Sequence, residues 1–294
     1  MFRAVRILSW SFVRLASSAV AACTIACGPP NRGGVNVDGG GSNQHADGGG
    51  SGSGSGSDTS KVFAHSSTTL YRVDTSTFQA QMIGTMPGLG TEALTDIAID
   101  KNDQMVGVTS SKLYSIDSTT GSVTLIKALA ASVSGLTSLS YVPVDPGDPN
   151  SDDILVTANA QGAVFKIDPT TGAATQLGSY GTSSLGKVSS SGDIVGVRGL
   201  GIYATVNVGT ETNDYLAKID PVTWKATILG TSTGFNNIFG LGFWAGKFYG
   251  FVDTGAAAGK VIQIDQNTGA GTMLEAGAVR WYGAGVSTNA PILE

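Results

Sequence analysis

Five aspartates recur in one local setting. They are Asp74 in LYRVDTSTF, Asp117 in LYSIDSTTG, Asp168 in VFKIDPTTG, Asp220 in LAKIDPVTW and Asp265 in VIQIDQNTG. Repeated carboxylates could bind calcium or act as acid and base. Calcium, however, needs several oxygen ligands gathered in one loop, and a side-chain oxygen that accepts backbone N–H groups just ahead of it explains one Asp per repeat without a ligand. The five therefore read as turn caps. Other reactive side chains are scarce: His65 is the only histidine beyond residue 58, and Cys23 and Cys27 are the only cysteines. That inventory weighs against transition-metal sites, cysteine nucleophiles and a Ser-His-Asp triad, so no metal site is expected. His65 aligns with Val108 and Phe251, an apolar column, and reads as a packed or surface strand histidine. No phosphate-binding or dinucleotide Gly motif stands between a strand and a helix, so no cofactor is expected.

The elements that carry these residues repeat. The aspartates are 43, 51, 52 and 45 residues apart, a period of stacked supersecondary units. Apolar and polar residues alternate over 113–116, residues 123–126 are β-branched and apolar, and Asp-x-x-Thr-Gly between them supplies a hairpin turn. Phe78 and Trp224 replace the turn Gly in two units, so there the turn is a variant or the ring packs across the blade. Unit two reads as four strands at 94–100, 104–110, 112–117 and 122–129. Unit three repeats them at 136–144, 153–159, 163–168 and 173–178, with an insertion at 145–152. Unit five has them at 238–244, 247–253, 260–265 and 271–275. Unit one lacks a first strand and enters at 61–66, whereas 281–287 is a first-type strand with nothing after it. The two should pair and close a ring without open edges. The expected fold is all-β, a five-bladed β-propeller of four-stranded antiparallel blades. A sixth, irregular blade near 179–192 is the alternative.

Composition bounds the partners. The chain of 294 residues carries 17 Lys and Arg against 22 Asp and Glu, a net charge of −5, which disfavours nucleic acid. Charged residues make up 13% of the chain, against about 25% in an ordinary domain. Residues 1–26 read as a signal segment: Arg3, Arg6 and Arg14 precede an apolar run too short to span a bilayer. Residues 27–58 read as a disordered linker with 12 glycines in 28–58, whose flexible-coil reach is about 30 Å. Residues 59–294 form the propeller domain.

Two resemblances extend this reading. Val20-Ala21-Ala22-Cys23 and Thr24-Ile25-Ala26-Cys27 each resemble the lipobox of bacterial lipoproteins, which implies lipidation at Cys27, with Cys23 as the alternative. Neither is followed by Asp, so the resemblance implies an outer-membrane address in the cell envelope, with the lipid as the membrane contact. An ordinary secreted protein with a Cys23–Cys27 disulfide is the remaining reading. The recurrent L-Y-x-I-D-x-x-T-G is similar to repeats of the YVTN and quinoprotein-like propellers and covers most of 61–287. No tryptophan-docking motif repeats at the blade edges, so quinone binding is not expected.

The propeller resemblance implies that first strands line the channel. Their aligned residues are small apart from Asp96. Five-bladed glycoside hydrolases place acids at this mouth, and Asp96, with Glu92 and Asp193, could supply them; a polysaccharide hydrolase is therefore one alternative. The rim carries Asn236, Asn237, Arg280, Trp281 and Tyr282, which could hold a sugar or peptide by hydrogen bonds and stacking. The expected function is noncatalytic binding of an extracellular protein or glycan by a tethered propeller, with a structural envelope role as a further alternative.

Overall fold

The computed structural model describes residues 60–130, 135–255 and 258–293. The expected signal segment, both cysteines and the linker lie outside the described residues.

Strands β1 (Val62–His65), β2 (Thr69–Val73) and β3 (Ala80–Thr85) begin blade one. Blade two is β4 (Asp96–Ile99), β5 (Met105–Val108), β6 (Lys112–Ile116) and β7 (Val123–Ala128). Blade three is β8 (Ser140–Pro143), β9 (Asp153–Ala158), β10 (Ala163–Ile167) and β11 (Ala174–Ser179). Blade four holds β12 (Thr182–Ser183), β13 (Gly186–Val197), β14 (Gly201–Val208), β15 (Tyr215–Ile219) and β16 (Ala226–Ile228). Blade five is β17 (Ile238–Trp244), β18 (Lys247–Asp253), β19 (Gly259–Ile264) and β20 (Gly271–Gly277). The last strand, β21 (Gly283–Gly285), pairs antiparallel with β1 in the register Phe63↔Gly285, Ala64↔Ala284 and His65↔Gly283. The chain thus folds as a five-bladed β-propeller closed by its own C-terminal strand. The sixth-blade alternative falls away, because the residues it would have used form β12 and the long entry half of β13 within blade four.

Burial explains why the strands differ in composition. DIAI of β4 and MVGV of β5 are buried at every residue, since neighbouring blades cover both faces, so alternation gives way to a continuous apolar or small run. VTLIKA of β7 lies at the outside and is exposed over most of its length. The five turns behave as caps. At Asp117, Oδ1 accepts the N–H groups of Thr119 (2.8 Å) and Thr120 (3.2 Å), and Gly121 follows at φ +77°. Phe78 and Trp224 hold the same left-handed conformation at φ +62° and +61°, which costs a non-glycine residue about 1–2 kcal/mol. Ring packing offsets that cost: Trp224 is buried, and the Phe78 ring lies 6.3 Å from that of Tyr249 on blade five.

Residues 287–293 run beneath the channel at the end away from the entry of the inner strands. Ser287 Oγ donates to Asp100 O (2.9 Å) on blade two, and Thr288 Oγ1 donates to Asp153 Oδ2 (2.8 Å) on blade three. Arg198 N on blade four donates to Thr288 O (2.9 Å), and Ala245 N on blade five donates to Pro291 O (2.8 Å). Arg198 and Asp153, both almost fully buried, form an ion pair of 2.5 Å under this strap.

Candidate functional site

The mouth is where the five inner strands begin. Ala93, Leu94 and Thr95 before β4, Leu136 and Thr137 before β8, Ser191 and Phe239 on β13 and β17, and Tyr282 before β21 enclose a cavity of about 250 Å³. Every blade contributes to it, counting Tyr282 with blade one. Its wall is chiefly apolar, with the hydroxyls of Thr95, Thr137, Ser191 and Tyr282 and no charged side chain. Asp214 holds Ser191 in place: Ser191 Oγ donates to Asp214 Oδ2 (2.5 Å), while Asn207 Nδ2 donates to Oδ1 (2.6 Å) and Ile238 N donates to Oδ2 (2.8 Å). Burial raises the Asp214 carboxyl above its usual range. A larger groove of about 760 Å³ opens between blades one and two, lined by Phe63, Met82, Ile83 and Met105. Its facing charges, Lys61 and Asp103, bond to one another at 2.6 Å. Volume alone would favour the groove, but only the mouth gathers all five blades.

Beneath the mouth, Asp96 on β4 and Asp193 on β13 meet carboxyl to carboxyl across the channel, both at 0% exposure. Asp96 accepts N–H from Ile97 (2.9 Å) and, across the blade joint, from Leu139 (2.6 Å). Asp193 accepts N–H from Ile194 (2.6 Å), from Leu241 of blade five (2.8 Å) and from Ala284 of β21. The pair and its donors therefore reach into all five blades. Burial raises both carboxyls well above the ordinary range, and on Asp96 the neighbouring Asp193 charge adds to the effect. His65, fully buried on β1, donates Nδ1–H to Ser66 O (2.8 Å), while its Nε2 has no partner and lies 3.9 Å from Asp96 Oδ1. Burial lowers its pKa to about 4. Among the described residues no three His, Cys, Asp or Glu side chains converge as a metal site.

The structure divides the expected site residues. Asp96 and Asp193 come together, but in a closed centre instead of on an open mouth. Glu92 does not join them: it accepts Lys112 Nζ (2.7 Å) and Thr109 Oγ1 (2.5 Å) at the β5–β6 turn, and these bonds hold its carboxyl below the usual range. Of the five rim residues only Tyr282 lines the cavity. Trp281 is buried, its ring 5.5 Å from Tyr71 and 5.4 Å from Phe251 in edge contacts, so it seals a blade joint and cannot stack on a ligand. Arg280 grips Asp253 through two bonds of 2.9 Å and lies 5.3 Å over the Tyr282 ring. Asn236 and Asn237 are exposed, and Asn237 O accepts Asp253 N (2.9 Å). Sequence reasoning missed Thr95, Leu136, Thr137 and Ser191, which sit closer to the strand entries than the loop positions it chose.

No protein-family model matches the chain, and no curated protein matches it. Solved structures resemble it in fold. A protein of unknown function from Bacteroides thetaiotaomicron VPI-5482 superposes with a TM-score of 0.43 and 15% identity over 64% of this chain, and the chain spans about half (52%) of that protein. BamB from Moraxella catarrhalis gives 0.35 and 14%, covering 75% of this chain and 70% of BamB. The Dos1 propeller gives 0.37 and 14%, covering 69% and 53%.

Proposed function

We propose that the chain is an exported, lipid-anchored propeller that binds a protein partner at the mouth of the ring without catalysis. The single observation behind this reading is the uncharged, mainly apolar cavity of about 250 Å³ to which every blade contributes. It falls just below the range of about 300–1,000 Å³ typical of small-molecule sites, and suits one aromatic or aliphatic side chain inserted as an anchor. Hydrolysis would need two carboxyls open to a sugar chain, whereas Asp96 and Asp193 are sealed and already engaged by backbone N–H groups. The anchor rests on the two lipobox-like patterns, with Cys27 ahead of Cys23 and the outer membrane as address. Likeness to YVTN-type repeats adds a fold-level kinship and no ligand.

Affinity capture from an envelope fraction tests the mouth. Ala93→Trp should plug the cavity from an exposed position, leave the melting curve unchanged and abolish capture of the partner held by the wild type. Equal capture by both proteins, or binding to a glycan array in place of protein, would remove the proposal. Labelling with palmitate tests the tether: incorporation should vanish in Cys27→Ser, and loss in Cys23→Ser alone would move the anchor.

A further inference from the structure

The centre of the ring holds more titratable groups than the binding reading uses. Asp96 and Asp193 share one closed site, and two buried carboxylates in contact cannot both be ionised, so one proton must stay between them. His65 stands on the other side of Asp96 with its Nδ1–H committed to Ser66 O. Its second nitrogen is fully buried and meets no hydrogen-bonding protein group, so a charge there is opposed by desolvation. Gly283 of β21 separates the two groups at close quarters: a Cβ there would lie 2.3 Å from Asp96 Oδ1 and 2.5 Å from His65 Nε2. The titratable groups that act on this cluster from the surrounding elements are these three and the buried phenol of Tyr180, which feels the Asp193 charge. β17 and β21 bring only glycines and apolar residues to this level, such as Gly240, Leu241, Gly283 and Ala284.

We propose that the centre of the ring is a proton-compensating latch: Asp96 and Asp193 keep one proton that the unfolded chain would lose, and His65 refuses one that the unfolded chain would take, so the two effects offset each other in mild acid.

The signs follow from linkage. The acid pair titrates higher in the folded ring than in the unfolded chain, so its contribution is full below the unfolded value of 3.8 and is lost as pH rises towards the folded value. For His65 the order is reversed: its contribution is full above 6.5 and is lost as pH falls towards about 4. Between these limits the slopes oppose each other, and each alone changes the unfolding constant by about tenfold per pH unit. Asp214, raised by burial, acts in the same sense as the pair and is common to every variant compared.

Urea unfolding of the full-length protein between about pH 4 and 6.5 tests the latch. Relative to wild type, His65→Gln should become more stable on acidification, its unfolding constant falling about tenfold per unit. The double variant Asp96→Asn with Asp193→Asn, which removes both titrating carboxyls and keeps their shape, should diverge in the opposite direction by about the same factor. A profile parallel to wild type in either variant overturns the compensation. Should a variant fail to fold, two measurements on the wild type decide instead. Infrared spectra at neutral pH should show the C=O stretch of a protonated carboxyl, and the imidazole ¹⁵N shifts of His65 should stay neutral down to about pH 4. Absence of the acid band, or titration of His65 at its ordinary value, refutes the proposal.

Discussion

Aspartate does opposite work at the two radii of this ring. At the outside, Asp74, Asp117, Asp168, Asp220 and Asp265 accept hydrogen bonds from hydroxyl and backbone groups one turn ahead, remain in water, and have their carboxyls held below the usual range by those bonds. At the centre, Asp96 and Asp193 also accept backbone N–H groups, in part from other blades, and burial drives them the other way. The bonding chemistry is the same. Water access decides the sign, and sequence distance decides the reach: a turn aspartate organises its own hairpin, and a central one ties blades together.

Four changes would break or sharpen that contrast, in falling order of effect. Asp193→Ala should cost about 4 kcal/mol, because the N–H groups of Ile194, Leu241 and Ala284 lose their acceptor in a closed site; calorimetry should show this as a lower Tm. Gly283→Ala should cost about 2–3 kcal/mol by overpacking against Asp96 and His65, again read from Tm, with the far strands β7 and β11 unaffected in hydrogen exchange. Replacing all five turn aspartates by Asn should lower the urea midpoint at pH 7 modestly, because the amide oxygen still accepts the turn N–H groups and only the charge is lost. It should also reduce the loss of stability below about pH 4, since groups with lowered folded values stabilise above their unfolded value and release that contribution as pH falls, Glu92 and Asp253 keeping their share. The single change Asp117→Ala should be the smallest, detectable as faster amide exchange at Thr119 and Thr120 alone.

What could be read from the chain followed the same division. Turn chemistry is local, so Asp-x-x-Thr-Gly disclosed the repeat, the four-strand pattern and the joining of β21 to β1. The central pair is not local. Asp96 stood out as the one acidic residue among small channel residues, but Asp193 lies beside an irregularity between Ser190 and Ile194 where the blade-four alignment slips. No spacing in the sequence announces that β4 and β13 face one another across a ring. Trp281 and Arg280 looked like binding residues because aromatic and guanidinium groups suit both packing and recognition. Only the neighbours, Tyr71 and Phe251 for one and Asp253 for the other, distinguish the two uses.

The pairing of β1 with β21 also sets an order of events. Blade one cannot be finished while the ribosome is still making blades two to five, so its open edge must wait, unpaired, through most of synthesis. Contacts this remote in sequence form slowly, and the growing chain would meanwhile carry that edge exposed to any strand that passes. A chaperone that shields residues 62–65 until residues 283–285 arrive should therefore raise the yield of folded protein, whereas one acting on the later blades should not.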